Sequence, residues 1–263
     1  MYDFAYHRPT NLADAARLAK DAEAKLMAGG MTLIPTLKQR LAKPSAVVDL
    51  GAVADLVGIR VEGGRVTIGA MTPHADVAGS VEVRRAIPAL ADLADGIGDP
   101  QVRNRGTIGG SLANNDPAAD YPAAALGLGA TIQTNERSIA ADDYFRGLFE
   151  TALKEGEIIT AVHFPIPEKA AYAKFPNPAS RYAIIGVFVA KGPQGVRVAV
   201  TGAGNGVFRV RAMEDALARN WSADAINGIT VPAAECNGDI HASSEYRAHL
   251  IGVMAKRAIQ AAG

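Results

Sequence analysis

Between Gly96 and Pro122 the chain runs through Gly, Asn, Asp and Pro with little apolar bulk, interrupted by Thr107-Ile108-Gly109-Gly110-Ser111-Leu112. A loop of that length inside a compact domain is usually functional or disordered. The embedded apolar residues, and the apolar run Ala123 to Ile132 just after it, argue for order. A second Gly-Gly pair lies about eighty residues earlier, in Ala28-Gly29-Gly30-Met31-Thr32. It separates an apolar run that reads as a strand from a segment with helical spacing. Glycine there permits a sharp turn and lets backbone N–H groups approach an anion, and the helix N-terminus adds partial positive charge. This pair is neither a G-x-G-x-x-G fingerprint nor a P-loop, since no Lys-Ser/Thr follows its glycines. Two such turns with almost no lysine nearby suit a diphosphate held mainly by backbone N–H groups, so a dinucleotide is the natural candidate. The plain alternatives are a simple strand-to-helix turn and a polar surface loop.

The rest of the pattern is mixed α and β. Asn11 to Ala24 carries apolar residues on one helical face, with Thr10 or Asn11 placed to cap it. Lys25 to Ala28, the helix Thr32 to Leu41 and the strand Ala46 to Leu50 form a small β-α-β unit whose strands pair most simply in parallel. This first lobe ends near Gly51. Val57 to Val61 and Arg65 to Gly69, joined at Glu62-Gly63-Gly64, read as a hairpin. Pro73 to Ala94 reads as helix in pieces, broken at Gly79 and Pro88. Glu157 to Phe164 is a strand, and Pro165-Ile166-Pro167 is the best linker candidate because two prolines stiffen it and remove two donors. Strands at Ala183 to Ala190 and Val196 to Thr201 and a helix from Ser244 to Ala262 make the tail α+β.

Composition removes several function classes. Lys+Arg and Asp+Glu are 27 each among 263 residues, so no basic excess favours nucleic acid or an anionic membrane. The single cysteine, Cys236, excludes an internal disulfide framework, a thiolate zinc cluster or a four-thiolate iron–sulfur cluster in this chain. It reads as a small buried hydrophobe. The five histidines lack metal-ligand spacing and read as surface or hydrogen-bonded residues, so no metal ligands are expected. Asp142-Asp143 reads as a helix cap rather than an acid–base pair, and no catalytic residue is expected. No leader-like N-terminus and no window of 18 apolar residues is seen, which reads as a soluble cytoplasmic protein without membrane insertion.

AGGMTLIP (Ala28 to Pro35), RNRGTIGGSLANNDPAADYP (Arg103 to Pro122) and GDIHASSEYRAHLIGVMAKRAI (Gly238 to Ile259), in this order and spacing, resemble the FAD-binding medium subunit of the molybdenum hydroxylases, the family of xanthine dehydrogenase and aerobic carbon monoxide dehydrogenase. The resemblance covers essentially the whole chain. It implies an α+β fold: a two-lobed FAD-binding domain of the vanillyl-alcohol-oxidase type over residues 1–166, with lobes of about 1–52 and 53–166, then a small α+β domain over 167–263. It places the FAD diphosphate at the first turn, among Leu26, Met27, Ala28, Gly29, Gly30, Met31, Thr32 and Leu33. It puts Thr107, Gly109, Gly110 and Ser111 at the phosphates and ribityl chain. Asp120 matches an aspartate that contacts the cofactor, Ile159 an apolar residue against the ring system, and Ile97 a wall position. Where many relatives carry Lys or Arg after Phe175, this chain has Pro176, so a cationic contact with the flavin falls to Lys174. Tyr182 stands where some relatives place an aromatic ring over one flavin face; as a plain residue it opens a core strand.

The implied function is electron transfer. A molybdenum-cofactor large subunit oxidises substrate, a [2Fe-2S] small subunit passes the electrons on, and the FAD of this chain hands them to an external acceptor, in a dimer of heterotrimers. Flavin supplies the redox chemistry and the protein supplies placement. Such a complex buries a surface of about 2,000 Å² or more. A self-contained FAD-dependent oxidoreductase would need an acid or base near the ring, and none is evident. A degenerate flavin-fold assembly module would not need an intact Thr107 to Ser111 and Asp120.

Overall fold

The computed structural model describes residues 1–263. The chain begins with β1 (Ala5–His7), α1 (Leu12–Leu18), β2 (Lys25–Met27), α2 (Leu33–Lys38) and β3 (Ala46–Asp49). β3 lies between β1 and β2 and runs parallel to both, with Val47 and Val48 buried at its centre. Asn11 caps α1, its Oδ1 accepting from the Asp14 N–H at 2.9 Å. The helix stops at Leu18, short of the expected Ala24. Asp21 turns the chain there, accepting from the Glu23 N–H and the Ser45 hydroxyl, a local bond that competes with helix.

The middle of the chain holds β4 (Ile59–Glu62), β5 (Arg65–Gly69), α3 (His74–Gly79), α4 (Val81–Ala86), α5 (Pro88–Asp95), α6 (Pro100–Arg103), α7 (Ile108–Asn114), α8 (Tyr121–Leu128), β6 (Thr131–Thr134), β7 (Ser138–Ala140), α9 (Ala141–Tyr144), β8 (Phe145–Gly147), β9 (Glu150–Thr151) and β10 (Ile159–Pro165). The main sheet is antiparallel, in the order β4-β5-β10-β6-β7. Gly63 and Gly64 both have positive φ, 57° and 73°, as a two-residue hairpin turn demands.

The Gly96 to Pro122 stretch, expected to be mostly loop, carries the helices α6 and α7 and the start of α8. Its polar residues are helix boundaries: Asp99 accepts from the Val102 N–H, Thr107 Oγ1 from the Gly110 N–H, and Asn115 ends α7 with a left-handed φ of 44°. Every residue of α8 is buried. It packs on α5, α7 and β10 as well as on three strands from later in the chain. Asp142 caps no helix; it pairs with Arg197 at 2.6 Å and Arg209 at 2.9 Å.

β11 (Lys169–Pro176), β12 (Ala183–Gly192), β13 (Gly195–Thr201) and β14 (Phe208–Arg209) form an antiparallel meander, followed by α10 (Arg211–Arg219) and α11 (Ser244–Ala262). α11 covers β11 and β12, and α10 covers β13. Cys236 packs in the core between them. Phe188, Ala190 and Ala199 from β12 and β13 share one apolar cluster with α5, α8 and β10. Arg247, 5 % exposed, donates to the carbonyls of Ile184 and Gly202 and to Asp239, each at 2.7 Å. That ties the C-terminal sequence signature to the strand ends beside α8.

Candidate functional site

A cleft of about 740 Å³ opens between the first sheet, the main sheet and the β11–β12 connection, inside the range of roughly 300–1,000 Å³ usual for small-molecule sites. The first turn forms one wall: Leu26, Ala28, Gly29, Gly30, Met31, Thr32 and Leu33 all line it. Gly30 has φ of 77°, so the turn itself selects glycine there. Met27 does not line the cleft. Its sulfur packs on the turn, 3.5 Å from where a Gly30 Cβ would lie.

Thr107, Gly109, Gly110 and Ser111 form the adjoining wall, but their chemistry differs from the sequence expectation. The N–H groups of Ile108, Gly109, Gly110 and Ser111 are spent inside the protein, on Thr72 O, Ala70 O, Thr107 Oγ1 and Thr107 O. By contrast, no backbone N–H from Gly29 to Leu33 donates within the chain. The uninterrupted run of free donors belongs to the first turn. Two glycines are small because protein, rather than ligand, lies against them. A Cβ on Gly29 would sit 1.8 Å from the Arg105 carbonyl oxygen, and one on Gly109 2.6 Å from the Ala70 Cβ. Gly29 thus lets the two turns touch, and Gly109 lets α7 lie against Ala70.

Ile97, Asp120, Ile159 and Tyr182 line the cleft beyond the turns, with Ile158 and Leu153 adding apolar surface. Asp120 is 4 % exposed. Lys174 Nζ donates to its Oδ2 at 2.8 Å, and the Tyr172 hydroxyl to its Oδ1. Burial pushes the Asp120 carboxyl up, while Lys174 and Tyr172 pull it down. Lys174 does not line the cleft; the short distance to Asp120 holds it behind the wall, where it also donates to Gly96 O at 3.1 Å. Tyr182 stands half exposed at the rim, its hydroxyl pushed up by burial and by the charges of Asp116 and Asp120.

His74 and Glu157, two titratable residues of the lining, had no functional signal in the sequence, whereas Asp116, also in the lining, falls within the second motif without a role of its own. His74 is a lone histidine whose ring is buried beside Tyr121, centroids 5.2 Å apart. Its Nδ1 has no partner, contrary to the expectation of a surface or hydrogen-bonded histidine. Burial first, and then the Arg103 charge, bring its value down to about 4. Glu157 is held by Arg137, Thr134 and the Lys154 N–H; the Arg137 bonds lead in bringing it down to about 2.

These features fit FAD: a row of free N–H donors at one end, an apolar pocket at the other, and room for a dinucleotide between. The family model described as the FAD binding domain in molybdopterin dehydrogenase matches residues 2–167. The carbon monoxide dehydrogenase medium chain of Afipia carboxidovorans is 37 % identical, over 98 % of this chain and 96 % of that one. The nicotine 6-hydroxylase medium subunit of Paenarthrobacter nicotinovorans is 36 % identical, over 98 % and 96 %. A crystal structure of carbon monoxide dehydrogenase from Hydrogenophaga pseudoflava superposes with a TM-score of 0.88 at 34 % identity, covering 99 % of this chain and 97 % of its own.

Proposed function

The chain belongs to the FAD-binding medium subunits of the molybdenum hydroxylases, an oxidoreductase family, and from that premise we propose that it is the electron-transfer flavoprotein of a heteromeric complex. The observation that carries the reading is the run of unspent N–H groups from Gly29 to Leu33, residues that all line the cleft. These groups would hold the diphosphate, which explains how an anionic cofactor is bound by a chain of zero formal net charge. Thr107 and Ser111 would border the phosphates and ribityl chain, and Ile97, Ile159 and Asp120 the ring. FAD, when bound, supplies the redox chemistry. The residues of this chain orient it and exclude water from the apolar end, and Tyr182, standing over one flavin face, would restrict the acceptor's access from that side.

Electrons would arrive from the iron–sulfur clusters of a small subunit, after oxidation of substrate at a molybdenum cofactor in a large subunit, and leave to an external acceptor. The relatives act on substrates as unlike as carbon monoxide and nicotine, which supports substrate choice residing in another chain. We place the complex in the cytoplasm, as a dimer of heterotrimers; no helix here is long and apolar enough to cross a membrane. The flavin domain in this reading is the two-lobed vanillyl-alcohol-oxidase type over 1–166, with 167–263 as a second domain.

The test is direct. The purified chain should take up FAD and turn yellow, and should copurify with an iron–sulfur and a molybdenum subunit from its host. Gly110→Asp sets a carboxylate at a narrow point, where even a Cβ would lie 3.0 Å from Thr107 Oγ1 and 3.1 Å from the Ala28 Cβ. It should abolish FAD retention while thermal unfolding stays cooperative. A colourless wild type that cannot be reconstituted, or full FAD content in the variant, would overturn the assignment.

A further inference from the structure

The family model ends at residue 167, yet the wall of the cleft continues through Ser180, Arg181 and Tyr182 and is braced from behind by β11. Lys174 Nζ reaches two separate lining segments at once: Asp120 at 2.8 Å and the carbonyl of Gly96, next to Ile97, at 3.1 Å. Tyr172, two residues earlier on the same strand and therefore on the same face, donates to the other oxygen of Asp120. Its ring stacks on Phe188 at 6.1 Å. The Lys174 side chain is 11 % exposed and that of Asp120 4 %, so this is a sheltered pair with its hydrogen bonds made, unlike a solvated surface pair.

We propose that Tyr172 and Lys174 are positioning residues for the flavin ring: they fix the Asp120 carboxylate and draw the Gly96–Gly98 segment against it, so that the third sheet completes the ring end of the site. The inference rests on the flavin reading above. It assigns the two ends of the cleft to different parts of the chain. The diphosphate end is built by the first turn seated on Arg105, with no contribution from β11. The ring end depends on β11 through Asp120 and Gly96. Loss of Lys174 leaves a buried carboxylate without its cation and a lining segment without its anchor, and both defects fall on the ring end.

Affinity for FAD and for ADP separates the two ends, measured on the full chain by titration calorimetry or fluorescence. Lys174→Met should weaken FAD binding by about tenfold or more and shift the flavin absorption bands, while ADP affinity stays at the wild-type value. Lys174→Arg keeps a donor for both Asp120 and Gly96 O and should recover most of the loss. Tyr172→Phe retains the ring packing and removes only the hydroxyl; it should show the same selective loss in milder form, which keeps the test usable if Lys174→Met folds poorly. In an Asp120→Asn background, Lys174→Met should cost clearly less than in the wild type, because the two act as a unit. Unchanged FAD affinity and spectrum in both Lys174→Met and Tyr172→Phe would overturn the proposal. So would equal losses of FAD and ADP, which mark a general structural role. Wild-type protein that binds neither molecule sinks the flavin reading itself, a different result from either of these.

Discussion

An imidazole buried against Tyr121 in the cleft wall, with Nδ1 unpartnered, is tolerated only while it is neutral. The folded value of about 4 for His74 lies below the ordinary 6.5, so between those values the unfolded chain binds the extra proton and stability rises with pH. The contribution is complete above about pH 6.5 and is lost as pH falls toward 4, an effect of about 3 kcal/mol at the low end. His74→Gln should therefore flatten the pH dependence of stability, seen as urea midpoints at pH 7 and pH 4.5. Parallel profiles for wild type and variant would sink this account. The site residues legible in the sequence were those whose type is demanded by backbone geometry or by the family motif, such as Gly30 and Asp120. His74 and Glu157 were illegible because their role comes from burial and from partners distant in the chain, Arg137 among them.

At the level of elements, two glycines of similar appearance should respond oppositely to alanine. Gly29→Ala drives a methyl group into the Arg105 carbonyl and separates the two turns. The cost is at least about 2 kcal/mol, with FAD retention lost alongside. Gly79 closes α3 with open space around its would-be Cβ and no positive φ. Gly79→Ala should stabilise by about 0.5 kcal/mol through the unfolded chain, read as a rise in Tm. The same contrast explains which elements could be read. The β4–β5 hairpin and α11 announce themselves through local rules, a Gly-Gly turn and a Ser243 cap before a periodic run. α6 and α7 were hidden because their Asp, Thr and Asn caps look like loop composition. β11, with two lysines and a closing proline, shows no clear alternation and becomes a strand through pairing with β12 along its length.

The molecule as a whole has no clean seam at Pro165-Ile166-Pro167. Apolar side chains of β12 and β13 complete the cluster around α8, and Arg197 on β13 pairs with Asp142 while donating to Leu126 O. Unfolding is therefore expected as one transition, coincident in far-UV circular dichroism and in the fluorescence of Trp221, the only tryptophan, which packs against the third-sheet core. Two separated transitions would show that residues 167–263 hold together independently. The lining of the cleft begins at Lys25 and is closed only by Tyr182. In the flavin reading, then, the nascent chain completes the residues proposed for the diphosphate long before those proposed for the ring. On that reading, cofactor loading is expected only after β11 has emerged and docked, and a chain stalled before that strand should be released without FAD.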